Sequence, residues 1–272
     1  MRRFTEKAGK ANHTRESQFV TTNQKQTPMN MKKQSQFRRP AFGFFAAALL
    51  CLTVHSAMAA TIWDANADFS LASNPNGAWS YQWLTGLAPG QYGIMTSSTT
   101  TYGNNPGLLG WSQPGGLPVV VKNTSPTTTY FSWAPGVLGM HPDNGGNHAV
   151  VTWTAPSAGA YSFVSSFTLV GTGGDGVIAS VTRNLSTSPS EQGQQYLAAV
   201  GNSWSWNNAS MTLNAGETIS WALNPNETIG ADSTVLTAVV TAVPEPSTFA
   251  LVAGALVCGA VLVRSRRQRT SH

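Results

Sequence analysis

The sequence predicts an all-β domain, an antiparallel β-sandwich of jelly-roll type, over residues 60–242. Three observations predict it. Helical periodicity is nearly absent over 61–241, short runs rich in Val, Thr, Trp, Tyr and Phe recur there between Gly, Pro and Asn clusters, and the chain's two long apolar runs lie outside it, at 41–54 and 249–263.

Taken in chain order, residues 1–30 are polar and aperiodic and read as an extension ahead of the true start, Met29 or Met31. Residues 31–59 read as a secretory signal peptide. Lys32, Lys33, Arg38 and Arg39 precede the short apolar run, which ends in Ser56-Ala57-Met58-Ala59-Ala60, with small residues at the −3 and −1 positions for cleavage after Ala59 or, alternatively, Ala60. An uncleaved membrane helix is the competing reading, but the run is short for a span. The clearest strands are 119–122, 128–133, 149–154, 159–169, 176–183, 209–213, 218–223 and 234–242. Gly173-Gly174-Asp175-Gly176 and Asn214-Ala215-Gly216-Glu217 are turn formers between them, because Gly reaches positive φ and Asn and Asp bond their own backbone. In 234–242 neither alternating face is strongly polar. Eight or more strands at this spacing favour a sandwich.

The formal charge of +5 is misleading about the domain. Ten of the sixteen basic residues lie before position 40, and Arg264, Arg266, Arg267 and Arg269 follow the C-terminal apolar run. The domain itself keeps two cations, Lys122 and Arg183, against eight carboxylates. With no basic patch to neutralise phosphates, nucleic acid is excluded as a partner. Cys51 and Cys258 both fall in the apolar runs, so disulfides and Cys-ligated zinc are excluded from the domain.

At the far end, residues 243–272, the order is Pro244-Glu245-Pro246, then the apolar run 249–263, then the arginine cluster. Two prolines stop regular structure from running through, a helix of small and apolar residues is able to enter a bilayer, and Arg264, Arg266, Arg267 and Arg269 would stop its transfer. This three-part tail resembles the PEP-CTERM sorting signal of bacterial exported proteins. The resemblance implies an exosortase-type membrane protease as partner, removal of the transmembrane helix, and delivery to the cell surface or extracellular matrix. A permanent single-span anchor is the alternative.

The domain's HPDNGGNHAVVTWTAPSAGAYSFVSSF, GGDGVIASV, LNAGETISWALNP and DSTVLTAVVTAV resemble a jelly-roll module of exported bacterial proteins, related to galactose-binding-like and carbohydrate-binding modules. Asn66-Ala67-Asp68-Phe69, Asn74-Pro75-Asn76-Gly77 and Trp79-Ser80-Tyr81 resemble its opening strand region. The resemblance implies a noncatalytic domain and extracellular polysaccharide as partner.

All nine tryptophans lie in the domain. Trp153 and Trp221, at strand centres, read as core. Trp204-Ser205-Trp206-Asn207-Asn208 puts two rings on one face of an extended segment beside two amides, and is the candidate sugar platform; sealing the end of the sandwich is the alternative role. Asp68 and Asp232 are candidate ligands of a shared structural calcium, against turn-capping roles for both; the resemblance implies such a site where first and last strands meet. His141, Asp143 and His148 share a Gly-rich loop but match no metal motif. Asp143 and Asp175 are the best carboxylate pair for a glycoside hydrolase or lyase, with nothing to fix their separation, and no G-x-S-x-G, H-E-x-x-H or P-loop is present. The expectation is therefore a noncatalytic protein that binds polysaccharide, or else a structural or adhesive matrix component without a discrete ligand site.

Overall fold

A computed structural model describes residues 60–85, 91–144, 146–244, 254, 259 and 260. Among them fourteen strands form two antiparallel sheets. In chain order these are β1 (Ile62–Asp64), β2 (Trp79–Leu84), β3 (Tyr92–Ile94), β4 (Ser97–Thr99), β5 (Leu108–Ser112), β6 (Val119–Asn123), β7 (Leu138–His141), β8 (His148–Thr154), β9 (Gly159–Leu169), β10 (Val177–Arg183), β11 (Ser190–Leu197), β12 (Ser203–Leu213), β13 (Thr218–Asn224) and β14 (Thr234–Val243). The first sheet runs β12-β9-β14-β7-β6-β5-β4, and the second β11-β10-β13-β8-β2-β3. One flank of β14 carries β7 at its start, Thr234 opposite Met140, and β1 at its end, Thr241 opposite Ile62.

The pattern along each strand explains the sandwich. In β9, Tyr161, Phe163, Ser165, Phe167 and Leu169 are buried while Val164 is exposed, the period of two that turns alternate side chains to one core. Leu236, Ala238 and Val240 of β14 face the same core, and Val235, Thr237, Val239 and Thr241 face out. From the second sheet come Ala149, Val151 and Trp153 of β8 and Ile219, Trp221 and Leu223 of β13. The central residues of β8 and β13 are buried on both faces, because Val150 and Ala222 pack outward against Leu84 and Leu185, and Thr152 and Ser220 exchange a 2.8 Å hydroxyl bond.

One expected strand, 128–133, is a loop instead. Ser132 has φ +64°, and the bonds Ser132 N–H to Thr129 O and Thr129 N–H to Trp133 O, both 3.0 Å, close it as a turn. Its aromatic content mimics a strand, but Trp133 is a plug over the outer face of β5 to β7, buried with Leu108, Val119 and Val121. The plug needs Gly139 beneath it, since a Cβ there would collide with the indole of Trp133. Buried Asn123 ties the loop down by donating to Thr127 O and Trp133 O, each at 2.9 Å.

The Asn214–Glu217 turn is held by charge. Glu217 takes a bidentate bond from Arg183 at 2.7 and 2.8 Å, one from Asn184 at 2.7 Å, and the Asn214 N–H at 2.7 Å. These donors pull its carboxyl down to about 2. A lowered folded-state pKa stabilises the protein above the unfolded carboxylate range and loses that contribution as pH falls from about 4.5 toward 2. Glu217→Gln should therefore lower Tm at pH 7, and the gap to wild type should close in melts near pH 2.

Candidate functional site

The turn between β1 and β2 builds an open pocket. Asp64 caps it, its Oδ1 accepting from Asn66 N–H and Ala67 N–H at 2.9 and 3.2 Å, while Asp68 N–H bonds back to Asp64 O at 2.8 Å. Asp68 Oδ2 accepts from Asp64 N–H at 3.0 Å and from the Trp79 indole N–H at 3.1 Å, which leaves Oδ1 free. Asn76 donates its amide to Asp68 O at 2.9 Å, and its backbone pairs with that of Trp79 across a turn in which Gly77 has φ +57°. Between these residues lies a cavity of about 330 Å³ lined by Ile62, Trp63, Asp68, Asn76 and the Gly77–Trp79 turn. Trp63 is half-buried, with its ring held edge-on by Trp153 at 5.4 Å and against Tyr161 at 5.9 Å. An indole fixed from behind, a carboxylate oxygen and a primary amide converge on one opening. That set suits a ring with C–H faces and a hydroxyl rim.

Trp204 and Trp206 lie on one face of β12, the face turned toward the core. Trp204 stacks on buried Phe167 at 6.0 Å and 12°, and Trp206 packs on buried Phe163 at 5.7 Å. Both are half-buried and close the rim of the sandwich, where Gly193 of β11 leaves room for the Trp204 ring. Of the two amides, Asn207 turns to the opposite face and accepts from Ser165 N–H at 3.2 Å, and Asn208 accepts from Ser210 N–H at 3.0 Å. The rings and Asn207 therefore do not share a surface. Removing both rings should act on stability first: Trp204→Ala/Trp206→Ala is expected to cost about 2 to 4 kcal/mol in urea unfolding.

Asp68 and Asp232 are not brought together. Asp68 folds back on Asp64, which pairs with Val239, whereas Asp232 precedes the opposite end of β14, roughly 16 Å or more away at about 3.3 Å per residue. No group of three or more His, Cys, Asp or Glu side chains stands close enough to hold a metal among the described residues. His141 and His148 are pushed below the usual histidine range by burial, His148 to about 4. Asp143 is bound to Asn147 at 3.2 Å, and Asp175 to the 226–228 loop, so each serves its own turn.

Of the C-terminal motif, Pro244 is described, exposed and just past the end of β14; Glu245, Pro246, Arg264, Arg266, Arg267 and Arg269 lie outside the described residues, as does the expected signal peptide. Within 249–263 only Gly254, Gly259 and Ala260 are described, all helical, and no described helix is long and apolar enough to cross a membrane.

No family model and no curated protein matches the chain. Solved structures do overlap with it in part. An arabinose-bound family 51 α-L-arabinofuranosidase aligns at TM-score 0.32 and 9% identity over 54% of this chain, which spans only 25% of that enzyme. A family 61 carbohydrate-binding module in complex with β-1,4-galactotriose aligns at 0.29 and 13% over 44% of this chain and 79% of its own. The C-terminal family 6 module of a laminarinase from Zobellia galactanivorans aligns at 0.23 and 14%, over 38% and 79%. At these levels none assigns a ligand to this chain.

The Trp63 pocket was not singled out by sequence reasoning. Its signal was present as Asp64-x-x-x-Asp68 followed by Asn76-Gly77, a double capping pattern flanking one tryptophan.

Proposed function

We infer that this chain is an exported, noncatalytic jelly roll that contacts polysaccharide through the pocket of Trp63, Asp68 and Asn76. The jelly-roll reading rests on the winding of β7 to β14, which alternates between sheets except at the β10–β11 hairpin and gives the orders β12-β9-β14-β7 and β11-β10-β13-β8. The observation that carries the binding reading is the convergence of a half-buried indole with a free carboxylate oxygen and an amide at one open cavity. Asp68 is the pocket's one carboxylate, whereas glycoside hydrolysis by the usual route needs two, about 5 to 10 Å apart. Export and sorting rest on the order of the terminal segments: the basic-apolar-small run over 31–59 and the Pro244-Glu245-Pro246 tail, for which an exosortase-type protease is the partner and the extracellular matrix the destination.

Binding of the purified chain to immobilised polysaccharides should fall at least about tenfold in Trp63→Ala and in Asp68→Ala, each removing more than about 1.4 kcal/mol of contact. Wild-type indifference to all glycans overturns the reading. It would favour instead a matrix component assembled through the edge strands β11 and β12, which end their sheets on the same rim.

A further inference from the structure

Charge narrows what the Trp63 pocket can take. Asp68 is the one ionisable residue lining the cavity. Both bonds to its side chain fall on Oδ2, from Asp64 N–H at 3.0 Å and from the Trp79 indole N–H at 3.1 Å, which fixes the plane of the carboxylate and leaves Oδ1 to meet a ligand. No cation of the described residues reaches it. Arg183 is held by Glu217 in the one ion pair among them, and Lys122 donates to Asn66 O at 2.6 Å. The wider field has the same sign. Between residues 60 and 244 two Lys or Arg stand against eight Asp or Glu, and a second carboxylate, Asp64, sits in the same turn and accepts from backbone N–H groups. Such a surface repels uronate and sulfated sugars and draws cations to the opening.

The groups that converge there suit an ammonium beside a ring. A carboxylate oxygen takes a charge-assisted hydrogen bond, and indole is the side-chain ring that most strongly attracts a cation near its face. Ile62, 62% exposed at the margin of the cavity, adds apolar surface that a small inorganic cation would leave uncovered. A pyranose bearing a free amine meets all three demands: its C–H face lies on Trp63 and Ile62, its ammonium meets Asp68 Oδ1, and a hydroxyl meets the Asn76 amide. We propose that this pocket selects an amino sugar with a free ammonium group over neutral and anionic sugars. The inference rests on the polysaccharide reading above and names the class of glycan. N-acetylation removes the charge of the sugar, so the pocket distinguishes a deacetylated polymer from its acetylated parent.

The test is calorimetric titration of the full chain, in buffer acidic enough to keep the amine charged, with three β-1,4-linked tetrasaccharides. They share one backbone and differ only at C2, which carries a hydroxyl in glucose, an acetamide in N-acetylglucosamine and an ammonium in glucosamine. The glucosamine tetramer should bind about fivefold or more tighter than either neutral one, an advantage that shrinks as salt is raised. Asp68→Asn keeps an oxygen for Asp64 N–H and the Trp79 indole, and should bring the three ligands level. Glu191→Gln, the same loss of charge on the exposed edge strand β11, should leave the preference intact. Trp63→Ala should weaken all three. A neutral tetramer that binds as tightly as the glucosamine one overturns the proposal, as does a preference retained in Asp68→Asn. So does displacement of the bound sugar by oligolysine of equal charge as readily as by free glucosamine tetramer, since no ring is then required. Wild-type protein that ignores the glucosamine tetramer while binding any amine-free polysaccharide overturns this inference alone; protein that binds no glycan overturns the polysaccharide reading with it.

Discussion

Trp153→Ala should cost the domain about 3 to 5 kcal/mol, read as a lower urea midpoint at unchanged slope. Trp153 is fully buried one residue before the end of β8, opposite Trp79 on β2 and Ile219 on β13. Its ring is surrounded by Tyr161 at 4.9 Å, Trp63 at 5.4 Å and Phe163 at 5.8 Å, residues of β9 and β1 in the facing sheet. Truncation there loses the largest kind of apolar side chain and leaves a cavity that rigid strands on both flanks keep from collapsing. Its indole N–H has no partner, so Trp153→Phe forfeits no hydrogen bond and should cost well under half as much. The alanine variant has a second consequence: Trp63 loses its support from behind, and binding at the pocket should weaken even where the domain remains folded.

Stability should fall as pH rises from about 6.5 to 8, by about 2 kcal/mol. The sign follows from Asp232, whose carboxyl is raised to about 8 in the folded protein by burial and by the charge of Asp175. Between the unfolded and folded pKa values the native state holds a proton that the unfolded chain has released, so each step upward in pH favours unfolding. Glu217 acts in the opposite direction and lower, because its contribution appears as pH rises from about 2 toward 4.5. His148, lowered to about 4 by burial, and His141, also lowered, oppose Asp232 between about 4 and 6.5, where the unfolded imidazoles hold protons that the folded ones lack, so the stability maximum falls near pH 6 to 7. Asp232→Asn should flatten the neutral limb and leave the acidic limb intact, in melts taken at half-unit pH steps. A profile for wild-type protein that is level from pH 6.5 to 8 would contradict the burial of an unpaired acid at this position.

The long strands were legible because their sequences satisfy two demands at once. The stretch 159–169 alternates large and small around one core face, and it is β9 from end to end. The short strands β1, β3, β4, β5 and β7 have three to five residues each, too few for a period of two to stand out, and several contain glycine. Their place is set by partners far along the chain, as Ile62 is by Thr241. In 128–133 the same aromatic content that marks a strand fills an outer-face plug instead, a choice made by Gly139 and Asn123 and invisible locally. The site was harder to read for a related reason. Two tryptophans spaced by one residue reveal that they share a face, but whether that face meets solvent or Phe163 and Phe167 depends on the neighbouring strand. Conversely, Trp63 has no second ring beside it to mark a shared face, and its pocket exists only because the capping residues Asp64, Asp68 and Asn76 fold the β1–β2 turn around it. Asp232 stood out in the sequence as an acid ahead of the last strand; its neighbour in space, Asp175, follows from the crossing of two loops.

The central claim, that polysaccharide docks at Trp63, is tested most directly by the indole N–H signals of the isotopically labelled protein. Nine tryptophans give nine separable reporters. On titration with soluble oligosaccharides, the Trp63 and Trp79 signals should move and saturate together, while those of Trp204 and Trp206 at the sandwich rim stay in place. Saturable movement of Trp204 and Trp206 with Trp63 unchanged, or no movement of any indole signal with any glycan, would contradict it.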